Sequence, residues 1–218
     1  MEFMDMRDQI IQAAHLLFDA GVMSHSGHAN MSARLPDGEH MLLTARGSIR
    51  TLTPDQLAVT DFAGNTSDGS LEPTTKEIVS MHAGVYRERA DVRAIIHTHS
   101  PHVTSFALAH KPLPCRYEAL LRFGVTEDIP VAAWGPRGSE ESVRAIIETL
   151  RAHPGIPAVL LANHGLLAFG ADIMATAQLI VAMEEGAETT LDAAILGGAQ
   201  PFPPGALEQV RAHMRRFA

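Results

Sequence analysis

Hydrophobic positions along the chain follow two periods, one typical of helices and one typical of short strands. Between Met6 and Ala20 the apolar residues recur every three or four positions, which predicts an amphipathic helix. Further helices are predicted over 75–89, 139–153 and 173–195, and short aliphatic runs between them, such as 158–163, predict strands. Several strands follow one another directly through short links. This pattern predicts a mixed α/β sandwich with a largely antiparallel sheet and helices on both faces.

Two histidines, His97 and His99, end the apolar run that predicts a strand over 91–97. Residues two apart on a strand point to the same face, so these imidazoles should project side by side. With 12 histidines in 218 residues, chance alone yields ~0.7 such pairs, so composition makes this motif weak evidence by itself. Two half-exposed strand-end histidines would explain it equally well.

A third histidine strengthens the interpretation as a metal site. His164 also follows an apolar run, and Gly165 comes directly after it. Two strand ends that each carry histidine can converge on one ion, and neutral imidazole is the commonest protein ligand for zinc. Three protein ligands with an open fourth position are typical of a catalytic site. The sequence therefore predicts a metal site at His97, His99 and His164.

Small and polar residues form turns that could hold an anion. One such turn precedes Asn30, and another contains Arg46 and Gly47. The helix over 75–89 is predicted to have Thr74 or Thr75 as its N-cap, and its start would present free N–H groups to an anion. Glu77 in its first turn is either a favourable charge for the helix dipole or a catalytic carboxylate.

Composition excludes several classes of function. The net charge is −8 and no Lys/Arg cluster occurs, which argues against nucleic acid as a partner. No apolar run reaches the ~18 residues of a membrane span, and the first residues lack an apolar signal core. The lone Cys115 can form no internal disulfide, which suits a cytoplasmic location. We expect one domain over residues 1–218.

Four motifs in order resemble the class II aldolase/adducin family, of which fuculose-phosphate aldolase is a member. They are Asn30-x-Ser32, Pro73-Thr74-Thr75-Lys76-Glu77, His97-x-His99 and Asn163-His164-Gly165. The resemblance covers nearly the whole chain and is most specific over 86–101. It implies a three-layer α/β/α sandwich and, for the sugar-phosphate enzymes, a homotetramer with active sites between subunits.

The resemblance also implies roles for particular residues. The three histidines would bind Zn²⁺, or another divalent ion such as Mn²⁺ or Co²⁺. Glu77 would be the catalytic acid/base, and Tyr117 would donate a proton in a neighbouring subunit's site. The implied substrate-binding residues are Asn30, Ser32, Arg46, Gly47, Thr74 and Thr75.

Two departures from the family pattern bear on the catalytic carboxylate and on the substrate. The stretch ending at Glu77 is one residue longer than the usual Pro-Ser-Ser-Glu, so Glu72 is the alternative carboxylate. Arg46 stands where the family has a phosphate-binding hydroxyl. Its planar guanidinium can donate two parallel hydrogen bonds to a carboxylate or a phosphate.

The expected function is a metal-dependent lyase that cleaves a C–C bond by a retro-aldol reaction through a zinc-stabilised enediolate. Its substrate would be a small anion, either a sugar phosphate or a hydroxy or oxo acid. A decarboxylase, a sugar-phosphate 4-epimerase and, from a different class, a non-enzymatic adducin-like module are the alternatives.

Overall fold

The helices and strands assemble into an eight-stranded sheet that is covered by helices on both faces. The computed structural model describes residues 3–215, and residues 1, 2 and 216–218 lie outside that range. The helices in this range are α1 (Phe3–Asp19), α2 (Pro73–Glu88), α3 (Pro101–Ala109), α4 (Glu118–Arg122), α5 (Glu140–Ala152), α6 (Ile173–Ile195) and α7 (Ala206–Met214). None of these helices combines the length and apolar character that crossing a bilayer requires.

The sheet is mixed and largely antiparallel, as predicted. Its strands are β1 (Ala29–Arg34), β2 (His40–Thr44), β3 (Leu57–Asp61), β4 (Thr66–Asp68), β5 (Ala94–Thr98), β6 (Val131–Ala132), β7 (Ala158–Leu161) and β8 (Gly165–Gly170). They lie in the order β4-β3-β2-β1-β5-β8-β7-β6. Within residues 3–215, β6 and β7 form the one parallel pair of strands.

Two groups of helices cover the sheet and make the three layers. Helix α6 packs against α1, α3 and α4 and against strands β5 and β8, whereas α5 packs against α2 and strands β6 and β7. Both faces of β5 and β7 are buried, because each strand is covered from two sides. The predicted α/β/α architecture is therefore confirmed.

The pairing of β1 with β5 positions polar side chains at the centre of the sheet. Asn30 lies opposite His97, and Ser32 lies opposite Ile95. Since alternate residues share a face, Asn30, Ser32 and His97 all project towards the layer that contains α2. The site described below therefore lies between this face of the sheet and the start of α2.

The start of α2 differs from the sequence prediction. Helix α2 begins at Pro73 with Glu72 as its N-cap, and neither Thr74 nor Thr75 is the cap, because proline suits a first helical position. Two strands at the sheet edges are short: β4 has three residues and β6 has two.

Helix α3 is held at its first turn by a buried carboxylate from α6. Glu184 is 5% exposed and accepts hydrogen bonds from the backbone N–H groups of His102 at 2.8 Å and Val103 at 2.9 Å. A carboxylate at a helix start stabilises the unpaired N–H groups there. Because α3 begins two residues after His99, this contact also fixes the chain that leaves that histidine.

Candidate metal centre and active site

The three predicted metal ligands converge at one end of β5. His97 belongs to β5, His99 follows that strand directly, and His164 lies in the short turn between β7 and β8. Their ring centroids are 4.7 to 4.9 Å apart. One ligand nitrogen from each ring lies within 4.8 Å of the others, which allows a single ion to contact all three.

The hydrogen bonds and burial of these rings favour the neutral, ligand form. His97 Nδ1 is 2.8 Å from the Leu166 carbonyl, so Nδ1 carries the proton and the Nε2 lone pair faces the other two rings. Burial lowers the pKa of His97 well below its ordinary value and that of His99 to about 4. Burial and then the charge of Arg137 lower the pKa of His164.

The nitrogens of the triad also have the chemistry of metal ligands. His97 Nε2 lies 3.1 Å from His99 Nε2. With Nδ1 of His97 protonated, its Nε2 offers a lone pair that can accept from His99 or bind a cation. Three imidazole nitrogens that point at one spot are a donor set suited to a divalent transition metal. The residues present therefore fit a metal centre.

The backbone conformation explains why asparagine and glycine flank His164. Asn163 has φ 58°, a left-handed conformation that asparagine adopts more readily than most residues. A Cβ at position 165 would lie 2.5 Å from the Thr98 carbonyl oxygen and 2.9 Å from the His99 ring. Only glycine lets β8 approach β5 this closely beside the histidines.

A cavity of about 320 Å³ opens beside the triad. It brings together the metal histidines and most of the residues that the resemblance implied. The lining includes Asn30, Arg46, Gly47, Thr74, Thr75, Glu72 and Glu77, and also His28 and Arg137, which the sequence analysis did not single out. Both candidate carboxylates therefore face the same space as the histidines.

Arg137 is the most informative of the unforeseen residues. Its Nε lies 3.3 Å from a carboxylate oxygen of Glu77, and its Nη2 donates to the Thr74 carbonyl at 3.1 Å. A Cβ at Gly138 would lie 2.9 Å from Glu77 Cβ, so the turn that carries Arg137 packs directly on Glu77. The only sequence signal was a cation in a Gly-Pro-Arg-Gly turn, a pattern it shares with Arg46-Gly47.

Arg46 lines the cavity but is partly engaged elsewhere. Its Nη2 lies 2.7 Å from the Asp55 carboxylate and 2.8 Å from the Asp55 carbonyl, to which its Nε also donates at 3.3 Å. The N–H groups of Nη1 are therefore the ones left for a ligand. Lys76, a cation in the first turns of α2, is exposed and does not belong to the cavity lining.

Two predicted site residues lie outside the cavity. Ser32 is fully buried beneath α2, where its hydroxyl contacts His82 at 2.6 Å and Tyr86 at 2.8 Å, so the prediction that it touches substrate is corrected. Tyr117 lies just before α4, against Gly186, and is not part of the lining. Its role in a neighbouring subunit stays a prediction.

Comparison with known proteins identifies the family. The model for the class II aldolase and adducin N-terminal domain matches residues 8–191, and the chain therefore belongs to this family. It is 29% identical over 213 residues to a 5-methylthioribulose-1-phosphate/5-deoxyribulose-1-phosphate aldolase of Rhodospirillum rubrum, which covers 97% of this chain and 92% of that one.

Two further relatives agree with this assignment. An L-fuculose phosphate aldolase of Methanococcus maripaludis is 33% identical over 168 residues, covering 75% of this chain and 83% of its own. The solved structure of an L-fuculose 1-phosphate aldolase has a TM-score of 0.83 at 24% identity, with 99% and 98% of the two chains covered, and supports the fold. The predicted family is confirmed, and these aldolases agree with the predicted enzyme class.

The triad predicts how metal content responds to mutation. Purified wild-type protein should carry about one divalent ion per chain, as three-histidine catalytic sites do. His97→Ala and His99→Ala should each lose most of it, because two imidazoles seldom retain an ion against dialysis. Elemental analysis measures this, with the exposed His15 changed to alanine as the matched control. Full metal retention in both triad variants would contradict the assignment.

Proposed function

We propose that this protein is a metal-dependent lyase that cleaves a C–C bond of a small anionic hydroxy-carbonyl substrate by a retro-aldol reaction. One observation carries the proposal: three neutral imidazoles converge on a cavity that also contains two carboxylates and two guanidinium groups. Membership of the class II aldolase and adducin family supports the same chemistry.

The proposed metal is zinc, with Mn²⁺ or Co²⁺ as the other candidates. Three imidazole ligands with an open position suit Zn²⁺, which takes nitrogen ligands in a tetrahedral arrangement. A divalent cation held by His97, His99 and His164 supplies Lewis acidity, which stabilises negative charge on a carbonyl oxygen as the C–C bond breaks.

Glu77 is the proposed proton carrier. In retro-aldol cleavage a base removes the proton of the substrate hydroxyl, and the electrons of the broken C–C bond pass to the fragment that bears the carbonyl group. A proton must then return to that fragment. Two observations support this role: Arg137 contacts the Glu77 carboxylate at 3.3 Å, and Glu77 lines the same cavity as the triad. Glu72 lines the cavity without such a contact among residues 3–215.

The anionic group of the substrate would be held by hydroxyls and a cation that line the cavity. Thr74 and Thr75 lie in the first turn of α2, and Gly47 and Arg46 lie in the turn after β2. Hydroxyls and a helix start suit phosphate, whereas the fork of Arg46 also matches a planar carboxylate.

Decarboxylation of a hydroxy or oxo acid is the second candidate function. It would leave the same type of carbanion and use the same Lewis acid. The specific observation in its favour is that two arginines, Arg46 and Arg137, border one cavity. A planar guanidinium binds carboxylate through two parallel hydrogen bonds, which a hydroxyl cannot do.

We further propose a homotetramer with active sites between subunits, in the cytoplasm. Tyr117 lies outside its own cavity, as expected for a residue that acts in a neighbour's site. Large apolar side chains are also exposed, among them Trp134 at 58%, Ile195 at 86% and Leu196 at 89%. Such side chains are commonly covered by a partner subunit.

Substitution of the two carboxylates should separate their roles. Glu77→Gln should lower kcat by about 10²–10⁴-fold while metal content and fold persist, because that is the usual contribution of a general acid/base. Glu72→Gln is the matched control on the same cavity and should stay active. Turnover of a panel of sugar 1-phosphates measures both, and the opposite pattern would reassign the acid/base to Glu72.

Substitution of Arg46 should reveal the anionic group of the substrate. If a carboxylate is recognised, Arg46→Ser should weaken its binding by about 1.5–3 kcal/mol, the size of a charge-assisted hydrogen bond. Turnover of hydroxy acids and sugar 1-phosphates is compared side by side, with Arg144→Ser on the exposed face of α5 as control. Strong sugar-phosphate turnover that Arg46→Ser leaves unchanged would exclude Arg46 from recognition.

Mixed oligomers should test whether Tyr117 acts between subunits. Tyr117→Phe and Glu77→Gln proteins should each be nearly inactive. When they are co-expressed, hybrid oligomers contain some sites with both residues intact, so activity should reappear. Light scattering should show a tetramer throughout. An active monomer, or no recovery in the hybrids, would contradict the proposed arrangement.

A further inference from the structure

A chain of hydrogen bonds runs from the core of the protein to the cavity wall. The Tyr86 hydroxyl lies 2.8 Å from Ser32 Oγ, which lies 2.6 Å from His82 Nδ1. His82 Nε2 in turn lies 2.6 Å from Asn30 Oδ1. The first three residues are 1%, 0% and 0% exposed, whereas Asn30 lines the cavity beside the triad.

The direction of every bond in this chain follows from its last member. Asn30 Oδ1 can only accept, so His82 donates from Nε2. A neutral imidazole has one N–H, so Nδ1 must accept from Ser32, and Ser32 Oγ is left to accept from the Tyr86 hydroxyl. Burial lowers the pKa of His82 to about 3, which keeps the ring neutral, and burial raises the pKa of Tyr86, which keeps the phenol protonated.

This direction decides what Asn30 presents to a ligand. With Oδ1 turned to His82, the amide nitrogen and its two N–H groups are left over, and they have no hydrogen-bond partner in the described part of the chain. Asn30 lies directly opposite His97 in the β1–β5 ladder. The reverse direction would turn Oδ1 into the cavity and would repel an anion instead of binding it.

We propose that Tyr86, Ser32 and His82 are positioning residues that hold the Asn30 amide with its N–H groups towards the cavity, where they donate to a substrate oxyanion beside His97. The proposal rests on the proposed function for the presence of that oxyanion. The chemical class it selects is a ligand with a negatively charged oxygen near the metal position. Ser32 thus affects the ligand without touching it, although the sequence predicted direct contact.

The His82 tautomer gives the most direct test. Long-range ¹H–¹⁵N NMR spectra of zinc-loaded protein with ¹⁵N-labelled histidine distinguish Nε2–H from Nδ1–H, and the His82→Gln spectrum identifies the signal by its loss. We expect Nε2–H. An Nδ1–H tautomer at His82 would overturn the proposal, because Nε2 would then accept from Asn30 and the Asn30 amide would be reversed.

Binding of glycolate, whose carboxylate and hydroxyl supply a small oxyanion ligand, tests the consequence. In calorimetric titrations of zinc-loaded proteins, Ser32→Ala should bind glycolate about tenfold more weakly, the effect of a lost charge-assisted hydrogen bond. Tyr86→Phe keeps the packing of the aromatic ring but removes the hydroxyl that donates to Ser32. His82 should then populate both tautomers, and the affinity for glycolate should fall by less than in Ser32→Ala. The control is Thr60→Val, which removes a buried hydroxyl that has no hydrogen-bond partner in the described structure and should change neither quantity.

These outcomes separate the positioning role from the proposed reaction. Unchanged glycolate affinity in both Ser32→Ala and Tyr86→Phe would show a purely structural network and would refute the positioning role. If the tautomer and the variant effects appear as expected but no lyase turnover is found, the retro-aldol assignment fails and the positioning role stands.

Discussion

The close approach of two backbones at the end of β5 is the constraint on which the site depends. At Gly165 a Cβ would lie 2.5 Å from the Thr98 carbonyl oxygen, so no larger residue allows β8 to start there without displacement. This approach places the turn that carries His164 against the strand end that carries His97 and His99. Antiparallel pairing of β5 with β8 then maintains the separation of the rings, since both strands are buried between helices. The arrangement of the candidate metal ligands is thus set by sheet register.

Charge at the site differs from charge on the chain as a whole. The protein carries a net charge of −8, whereas the cavity is bordered by two arginines and two glutamates. Burial keeps the triad histidines neutral, so they contribute ligands rather than repulsion. A bound divalent ion would therefore make the cleft positive on an acidic protein, and its focused field would attract small anions. Glu77, the proposed acid/base, would lie in this field beside Arg137.

Local patterns in the sequence were sufficient to predict that the three histidines converge, but not what surrounds them. The two-residue spacing of His97 and His99 fixes their common face as soon as that segment is a strand, and Gly165 signals the close approach that brings in His164. Arg137 is 40 positions from His97, and nothing in its own turn reveals that the turn packs on Glu77. Ser32 shares a face with Asn30, and the family resemblance implied a substrate-binding role for both. Only the packing of α2 over β1 shows that Ser32 is covered while Asn30 is open to the cavity.

The start of α2 decides where the two candidate carboxylates leave the chain. Proline at the first helical position puts the helix start at Pro73, which leaves Glu72 outside as the N-cap and Glu77 one turn inside. Five helical residues span about 7.5 Å along the axis, so the two side chains leave the backbone at separate places although both line the cavity. Glu77 packs against the Gly138 turn, where glycine leaves room for its side chain, and Arg137 lies 3.3 Å from its carboxylate. The packing of a distant turn therefore distinguishes Glu77, the proposed acid/base, from Glu72, and motif spacing alone does not reveal this difference.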